Sequence, residues 1–110
     1  MNVYDTANNL ATEIKNSEEY VNYKMARQTL NLNSELKEKI TEFEKIRYEL
    51  QLGMMQTGKQ DEEKFELMQE KYVKLMELED AKKYFEAETK FNIMIADINK
   101  IIGETIKDVM

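Results

Sequence analysis

Apolar residues recur every three or four positions through the last thirty or so residues, the spacing that places them on one face of an α-helix. We predict one long helix over residues 80–110. At 1.5 Å per residue it is roughly 40 Å long, whereas a compact domain of this length has a diameter of about 35 Å. Something outside the chain should therefore cover the excess apolar surface, and a second copy is the simplest candidate. The repeating positions are Tyr84, Ala87, Phe91, Met94, Ile98 and Ile101, widened by Ile95, Ile102 and Val109.

Four shorter amphipathic segments precede this helix. The apolar positions predict helices over residues 3–15 and 18–30, a third from about residue 35 to Leu52 or Gly53, and a fourth that begins after Asp61. Residues 78–80 form a weaker boundary, so the fourth and fifth helices are predicted as separate, with one kinked helix as the alternative. The fold class is therefore all-α: an elongated antiparallel bundle of four to five helices with a long C-terminal helix, dimeric, formed by residues 1–110 as a single domain.

Polar residues at the breaks predict how the helices begin and end. Asn16 and Ser17 are both good N-cap residues, and Asn16 with Glu19 has a capping-box-like spacing. Ser34 is the predicted N-cap of the third helix and Asp61 that of the fourth. Residues 54–60, with glycines at or near both edges, form the clearest predicted loop.

Composition narrows the chemistry more than it narrows the fold. The chain has no proline, cysteine or histidine, which excludes disulfides, thiolate or imidazole metal ligands, and cysteine or histidine catalysis within one chain. A formal charge of −6 repels phosphate backbones, so direct nucleic-acid binding is disfavoured. No apolar run resembles a signal peptide or approaches the length of a membrane span. We therefore expect a cytoplasmic protein that does not insert into membranes.

One stretch of the last helix is apolar on almost every side. Ile93 lies among the apolar residues but outside their regular spacing, and a helix that is hydrophobic all round is usually buried on more than one side. A central core helix and a subunit interface both explain this pattern, and the interface is the favoured interpretation. If it is right, Ile93→Asp should give a folded monomer. The candidate self-association interface is Phe91, Ile93, Met94, Ile95, Ile98 and Ile102.

Methionines and tyrosines mark a second candidate surface. Eight methionines are many for 110 residues, and flexible thioethers recur at partner-binding grooves. Met54 and Met55 fall in the predicted loop, where they either fold back onto the core or form a docking surface. With Tyr20 and Tyr23 they make the candidate partner surface.

The carboxylates are interpreted as structural. The glutamates of the third and fourth helices lie opposite the apolar positions, where they form solvated faces and helix ion pairs. Glu88 is the exception, because it falls near the apolar face. A partly buried glutamate needs a partner, and Arg27, Arg47 and Tyr23 are chemically suitable. We predict a structural ion pair of Glu88 with Arg47, with a proton site as the alternative.

The order of these segments resembles the YlbF/YmcA-like family of small bacterial helical proteins. The resemblance rests on residues 17–24 (SEEYVNYK), on Leu36 through Phe43 to residues 47–51 (RYELQ) with the glycine-containing stretch that follows, and on residues 84–88 (YFEAE) with the apolar positions after them. It implies a helical, dimer-forming cytoplasmic protein without enzymatic activity. The better-studied members act in a complex that influences competence, biofilm formation, sporulation and mRNA processing by a membrane-anchored endoribonuclease. Those members have cysteines that help to hold iron–sulfur clusters, whereas this cysteine-free chain is more similar to the YheA-like branch.

Three function classes follow from these observations. The favoured one is a non-enzymatic helical adaptor or regulator that works as a homodimer or in a complex with other proteins, with no cofactor and no small-molecule substrate. The second is a small RNA- or nuclease-associated binding protein, whose affinity for RNA would collapse with added salt. The third is a carboxylate, lysine or tyrosine enzyme, which would require a pocket near Glu88.

Overall fold

A computed structural model describes residues 2–110, and every regular element in that range is helical. The chain forms five α-helices and a terminal 3₁₀ turn, and it has no strand within the described residues. The all-α class and the long C-terminal helix are confirmed. The elements are α1 (Val3–Asn16), α2 (Glu18–Asn31), α3 (Ser34–Thr57), α4 (Glu62–Met76), α5 (Glu79–Ile106) and the 3₁₀ turn Lys107–Val109.

Side-chain oxygens cap the starts of the first four helices. Asp61 caps α4 as predicted, because its carboxylate accepts a hydrogen bond from the Lys64 N–H at 3.1 Å. The predicted cap at Ser34 is wrong: Asn33 is the N-cap of α3, and its amide oxygen accepts from the Leu36 N–H at 3.1 Å. Asn33 is in an extended conformation while Ser34 is already helical, so only Asn33 can reach the free N–H groups of the first turn.

Ser17 has the equivalent role at the start of α2. Its hydroxyl accepts from the Tyr20 N–H at 3.1 Å. Asn16, whose spacing to Glu19 suggested a capping box, is instead the last residue of α1. Ser17 also donates its hydroxyl to the Ile14 carbonyl at 2.6 Å, so one side chain closes α1 and opens α2.

The predicted loop over residues 54–60 is wrong at its beginning, because α3 continues to Thr57. Gly58 ends the helix with a left-handed φ of 72°, and its N–H donates to the Met54 carbonyl at 2.8 Å. A left-handed residue after the last helical turn is a common way to end a helix, and glycine adopts it without a Cβ penalty. Gly53 stays helical, which costs only about 1 kcal/mol relative to alanine.

Helices α4 and α5 are separate, as predicted. The break lies at Glu77 and Leu78, and α5 begins at Glu79. Asp80 does not cap α5; it lies in the first turn, where a negative charge is favourable. Regular α5 ends at Ile106, four residues before the predicted end.

The contacts divide the chain into two compact units, the first of which comprises the described residues up to Arg27 together with Tyr84–Met110. The Tyr20 ring lies 6.2 Å from the Phe91 ring, and the Tyr23 ring lies 5.4 Å from Phe91 and 5.8 Å from Tyr84. From Tyr20 to Tyr23 along α2, the contacts on α5 extend from Phe91 back to Tyr84. The two segments are therefore antiparallel.

The second unit, Gln28–Lys83, is built around the hairpin of α3 and α4. The ammonium of Lys71 lies 3.1 Å from the Glu42 carboxylate, and that of Lys64 lies 3.4 Å from Glu49. These pairs show that α3 and α4 are antiparallel. The division into two units does not test whether the chain is a single domain or an elongated bundle, and both stay predictions. The buried residues of the second unit are Leu30, Leu36, Ile40, Phe43, Leu75 and Ala81.

Candidate functional site

The apolar face of α5 changes from covered to exposed along the first unit. Tyr84 and Ala87 are buried, whereas Phe91 and Ile98 are half-buried. Farther along, Ile101 is 68% exposed and the residues after it are exposed as well. We call the exposed and half-buried part the α5 stripe: Phe91, Met94, Ile95, Ile98, Ile101, Ile102 and Ile106.

Charged residues avoid the α5 stripe. Between Phe91 and Ile106 the charged residues are Asp97, Lys100 and Glu104. At 3.6 residues per turn, all three lie about 120° or more from the line through Ile98 and Ile102. The middle line of the stripe is therefore uncharged over about four turns, in a chain of which 35% is charged, while Asp97 and Glu104 border its edge at Ile101.

Thr105 is the one polar residue within the stripe, and its hydroxyl is already engaged. It donates to the Ile101 carbonyl at 3.1 Å. Threonine hydroxyls commonly make this bond to the preceding helical turn. Covering Thr105 with an apolar partner would therefore not leave its donor unsatisfied.

Ile93 lies on another face of α5. It is 56% exposed, and its position five residues before Ile98 places it about 140° around the helix from that residue. The predicted interface therefore contains two surfaces: Phe91, Met94, Ile95, Ile98 and Ile102 share the stripe, whereas Ile93 lies nearly opposite. No contact shown here decides which of the two associates, and both stay predictions.

Tyr20 and Tyr23, predicted as part of a partner surface, are half-buried and pack on α5. The Tyr23 hydroxyl donates to the Glu88 carboxylate at 3.5 Å, and the Tyr84 hydroxyl donates to the same oxygen at 3.4 Å. The Arg27 guanidinium lies 5.9 Å from the centre of the Tyr23 ring. Of the three partners considered for Glu88, Tyr23 contacts it directly.

Arg47 lies in the second unit, with its guanidinium 5.6 Å from the centre of the Phe43 ring. A cation at this distance from an aromatic ring is attracted to its face. The ion pair of Arg47 with Glu88 stays a prediction. The observed contact assigns Arg47 a packing role beside the buried Phe43.

Met54 and Met55 lie on helix α3, and Met55 is 84% exposed. Tyr48 and Leu52 are exposed as well and precede Met55 by seven and three residues, so the three share one helix face. That face points away from the buried positions of α3. The interpretation from sequence missed Tyr48 and Leu52, although their spacing to Met55 was a usable signal. We call Tyr48, Leu52 and Met55 the outer face of α3.

The part of the chain that the structure describes contains neither a cluster of metal-ligating side chains nor a membrane-spanning helix. Over residues 2–110 no three or more acidic side chains come together where they could hold a metal ion. None of the helices there combines the length and apolar character needed to cross a membrane.

Comparison with known proteins gives a consistent match over the whole chain. Residues 3–107 match a family model described as control of competence regulator ComK, YlbF/YmcA. A UPF0342 protein of Desulfitobacterium hafniense is 34% identical over 100% of this chain and 89% of its own length. UPF0342 proteins of Caldicellulosiruptor bescii and Symbiobacterium thermophilum are 32% and 31% identical, over 96% and 94% of this chain and 89% and 93% of their own lengths.

Proposed function

The chain belongs to the YlbF/YmcA family of competence-control proteins, and on that premise we propose that it is a non-enzymatic regulator that acts through protein–protein contacts. It works in the cytoplasm, as a homodimer or within a complex of several proteins, and without a cofactor or small-molecule substrate. The observation that carries this proposal is the α5 stripe, a long uncharged helix face that its own unit leaves largely open.

The physical reason is the cost of leaving this surface in water. Complete burial of one isoleucine side chain is worth about 1.5–3 kcal/mol, and Ile101, Ile102 and Ile106 are all substantially exposed. Because each is already partly covered, a partner that buries all three completely gains about one and a half times that amount before the entropy cost of association. A second copy has the same apolar surface, so the two surfaces can cover each other in a symmetric dimer.

The outer face of α3 is the proposed contact for a different protein. Gln51 to Gln60 holds a single charged residue, Lys59, and Met55 offers an adaptable side chain. Met54 was predicted to contribute as well; it lies about 100° around the helix from Met55 and is 48% exposed. Tyr20 and Tyr23 were predicted to contribute too, and we propose that they do so with the parts of their rings that do not pack on Phe91.

Self-association is tested by measuring molar mass with light scattering on a size-exclusion column. We expect twice the 13.1 kDa of one chain. Ile102→Asp should give a folded chain of monomer mass, because a charge within the stripe has no partner. Ile93→Asp adds the same charge on the other face of α5 and should leave the mass doubled, in contrast to the monomer expected from the sequence alone. A monomer for this variant would instead assign the interface to the Ile93 face. A monomeric wild-type protein would contradict the homodimer.

Regulation through other proteins is tested separately, by tagged pull-down from the native host with mass spectrometry. Met55→Glu on the outer face of α3 should lose a specific protein that the wild type retains. Ser34→Glu adds the same charge at an exposed position at the other end of α3 and should retain it. If all three baits recover only the protein itself, the regulatory-complex proposal fails while the homodimer stands.

A further inference from the structure

Methionine is the only sulfur-containing residue type in this chain. The sequence has eight methionines and no cysteine, so a peroxide meets no thiol that would react before a thioether. Oxidation converts the flexible apolar side chain of methionine into a polar sulfoxide, and it requires access to the sulfur. Which methionine reacts in the folded protein therefore depends on which side chains the fold leaves exposed.

In the second unit the fold leaves one methionine side chain largely in water. Met55 is 84% exposed, whereas Met54 is 48% exposed. Met68 and Met76 are half-buried. Met55 also belongs to the outer face of α3, which is the proposed contact for a different protein. The most accessible thioether of this unit therefore lies on its proposed binding surface.

From this combination we infer that Met55 is a peroxide-sensitive site, and that its oxidation switches off the outer face of α3 while α3 stays folded. One oxygen atom passes from the peroxide to the Met55 sulfur: the O–O bond breaks, an S–O bond forms, and the peroxide is reduced to water or an alcohol. Two thiols of a separate methionine sulfoxide reductase reverse the step, giving the thioether, water and a disulfide. The inference rests on the proposed function and adds its regulation.

The end of α3 is held by bonds that do not involve the Met55 side chain. The Thr57 hydroxyl donates to the Gly53 carbonyl at 2.7 Å and accepts from the Lys59 N–H at 3.1 Å. Gly58 closes the helix through its own backbone. An oxygen atom added to the Met55 sulfur therefore leaves these bonds in place.

The same oxygen atom changes what the outer face of α3 offers to a partner. A partner that covers Met55 must desolvate the sulfoxide oxygen, which costs free energy unless the partner supplies a hydrogen-bond donor. Tyr48 and Leu52 then remain as the apolar part of the face. Oxidation therefore weakens binding through this face, and reduction restores it.

The site is tested without any partner, by treating the folded chain with limiting hydrogen peroxide and locating the oxidised methionines by peptide mass spectrometry. We expect Met55 to be oxidised before Met54, Met68 and Met76, with no loss of helix by circular dichroism. Oxidation of any of these three ahead of Met55 would overturn the inference. Loss of helix once Met55 has reacted would overturn it as well.

The switch is tested by tagged pull-down with bait that has been treated with peroxide and then freed of it. Oxidised wild type should lose the protein that untreated wild type retains, and methionine sulfoxide reductases should restore it. Met55→Leu keeps an apolar side chain that peroxide does not oxidise, so this variant should retain the protein after treatment. Met25 and Met110 of the first unit are exposed as well, at 59% and 93%. A double variant with Met25→Leu and Met110→Leu should still lose the protein on oxidation.

The outcomes separate this inference from the proposed function beneath it. If untreated and oxidised wild type retain the same protein, the switch is wrong while the proposed contact stands. If Met55→Leu loses the protein only after peroxide treatment, another methionine is responsible and the assigned site is wrong. If the untreated bait recovers only the protein itself, the regulatory-complex proposal fails and the switch fails with it.

Discussion

Helix α3 and the C-terminal part of α5 both present apolar faces with helical spacing, but the face of α3 is buried and that of α5 is exposed. On α3, Phe43 is 3% exposed and packs against Tyr72 of α4 with ring centroids 5.8 Å apart. On α5, Ile101 is 68% exposed and Ile102 is 49% exposed. The α3 face has an antiparallel neighbour in its own unit, whereas the end of α5 has no such cover within the described chain.

The difference teaches that helical periodicity identifies a face but not what covers it. The ion pairs of α3 with α4, Glu42–Lys71 and Glu49–Lys64, border a closed apolar contact. Near the end of α5, Asp97 and Glu104 border the stripe at Ile101, four residues before it and three residues after it. A border of charges beside an apolar face accompanies a covered contact in one unit and an open surface in the other. The following substitutions test how far this contrast holds.

The largest expected effect is at the covered face. Phe43→Ala should lower the free energy of unfolding by about 3–5 kcal/mol, because it removes a buried ring and leaves a cavity. Tyr48→Ala, on the exposed side of the same helix, should change it by less than about 0.5 kcal/mol. Urea titrations followed by circular dichroism compare the two. Equal losses would show that the two sides of α3 are not distinguished as described.

A smaller effect is expected at the start of α3. Asn33→Ala should cost about 1 kcal/mol, since it removes the acceptor for the Leu36 N–H. Ser34→Ala should cost no more than a few tenths, because Ser34 is already helical. Thermal unfolding of the two variants measures the difference. A larger loss of stability for Ser34→Ala than for Asn33→Ala would identify Ser34 as the N-cap.

The polar border of the covered face should contribute less again. A double-mutant cycle of Glu42→Ala and Lys71→Ala is expected to give a coupling of about 0.2–1 kcal/mol. The side chains are partly in water, at 59% and 30% exposed, so the coupling should fall as salt is added. A coupling energy that does not change with added salt would indicate a contact more buried than the one described.

The smallest effect is expected at the open face, provided that the protein is dilute enough to be monomeric. There Ile101→Ser should change the free energy of unfolding by less than about 0.5 kcal/mol, because Ile101 is already 68% exposed and little buried surface is lost. At dimer-forming concentrations the same variant should be distinctly less stable than the wild type. A loss comparable to that of Phe43→Ala in the monomer would show that the chain covers this face itself.

Several features of the fold were predictable because they depend on local chemistry. The five helices follow from apolar spacing and the absence of proline, and Asp61 was correctly identified as the cap of α4. The end of α3 was not predictable in the same way. Gly53 and Gly58 are both plausible terminators, and only the conformation shows that Gly58 adopts the left-handed φ while Gly53 remains helical.

The candidate surfaces also combine features that the sequence shows with features that only the conformation shows. Met54 and Met55 stay a predicted surface, but their placement in a loop was wrong, because α3 continues past Gly53. Tyr48 and Leu52 join Met55 only once the helix is known to include all three. Ile93 was predicted to lie in the interface because it is apolar. Since α5 is one continuous helix, Ile93 lies across that helix from the stripe.

The sequence by itself determined the helical class, a count of four to five helices and which residues of α5 share a face, because these depend on interactions within a few residues. Only the tertiary structure decided that Tyr84 and Ala87 are covered while Ile101 and Ile102 are exposed. Burial depends on which distant segment lies against a face, and no local pattern records that. The α5 stripe is therefore visible in the sequence as a face, and in the structure as a surface that is still open.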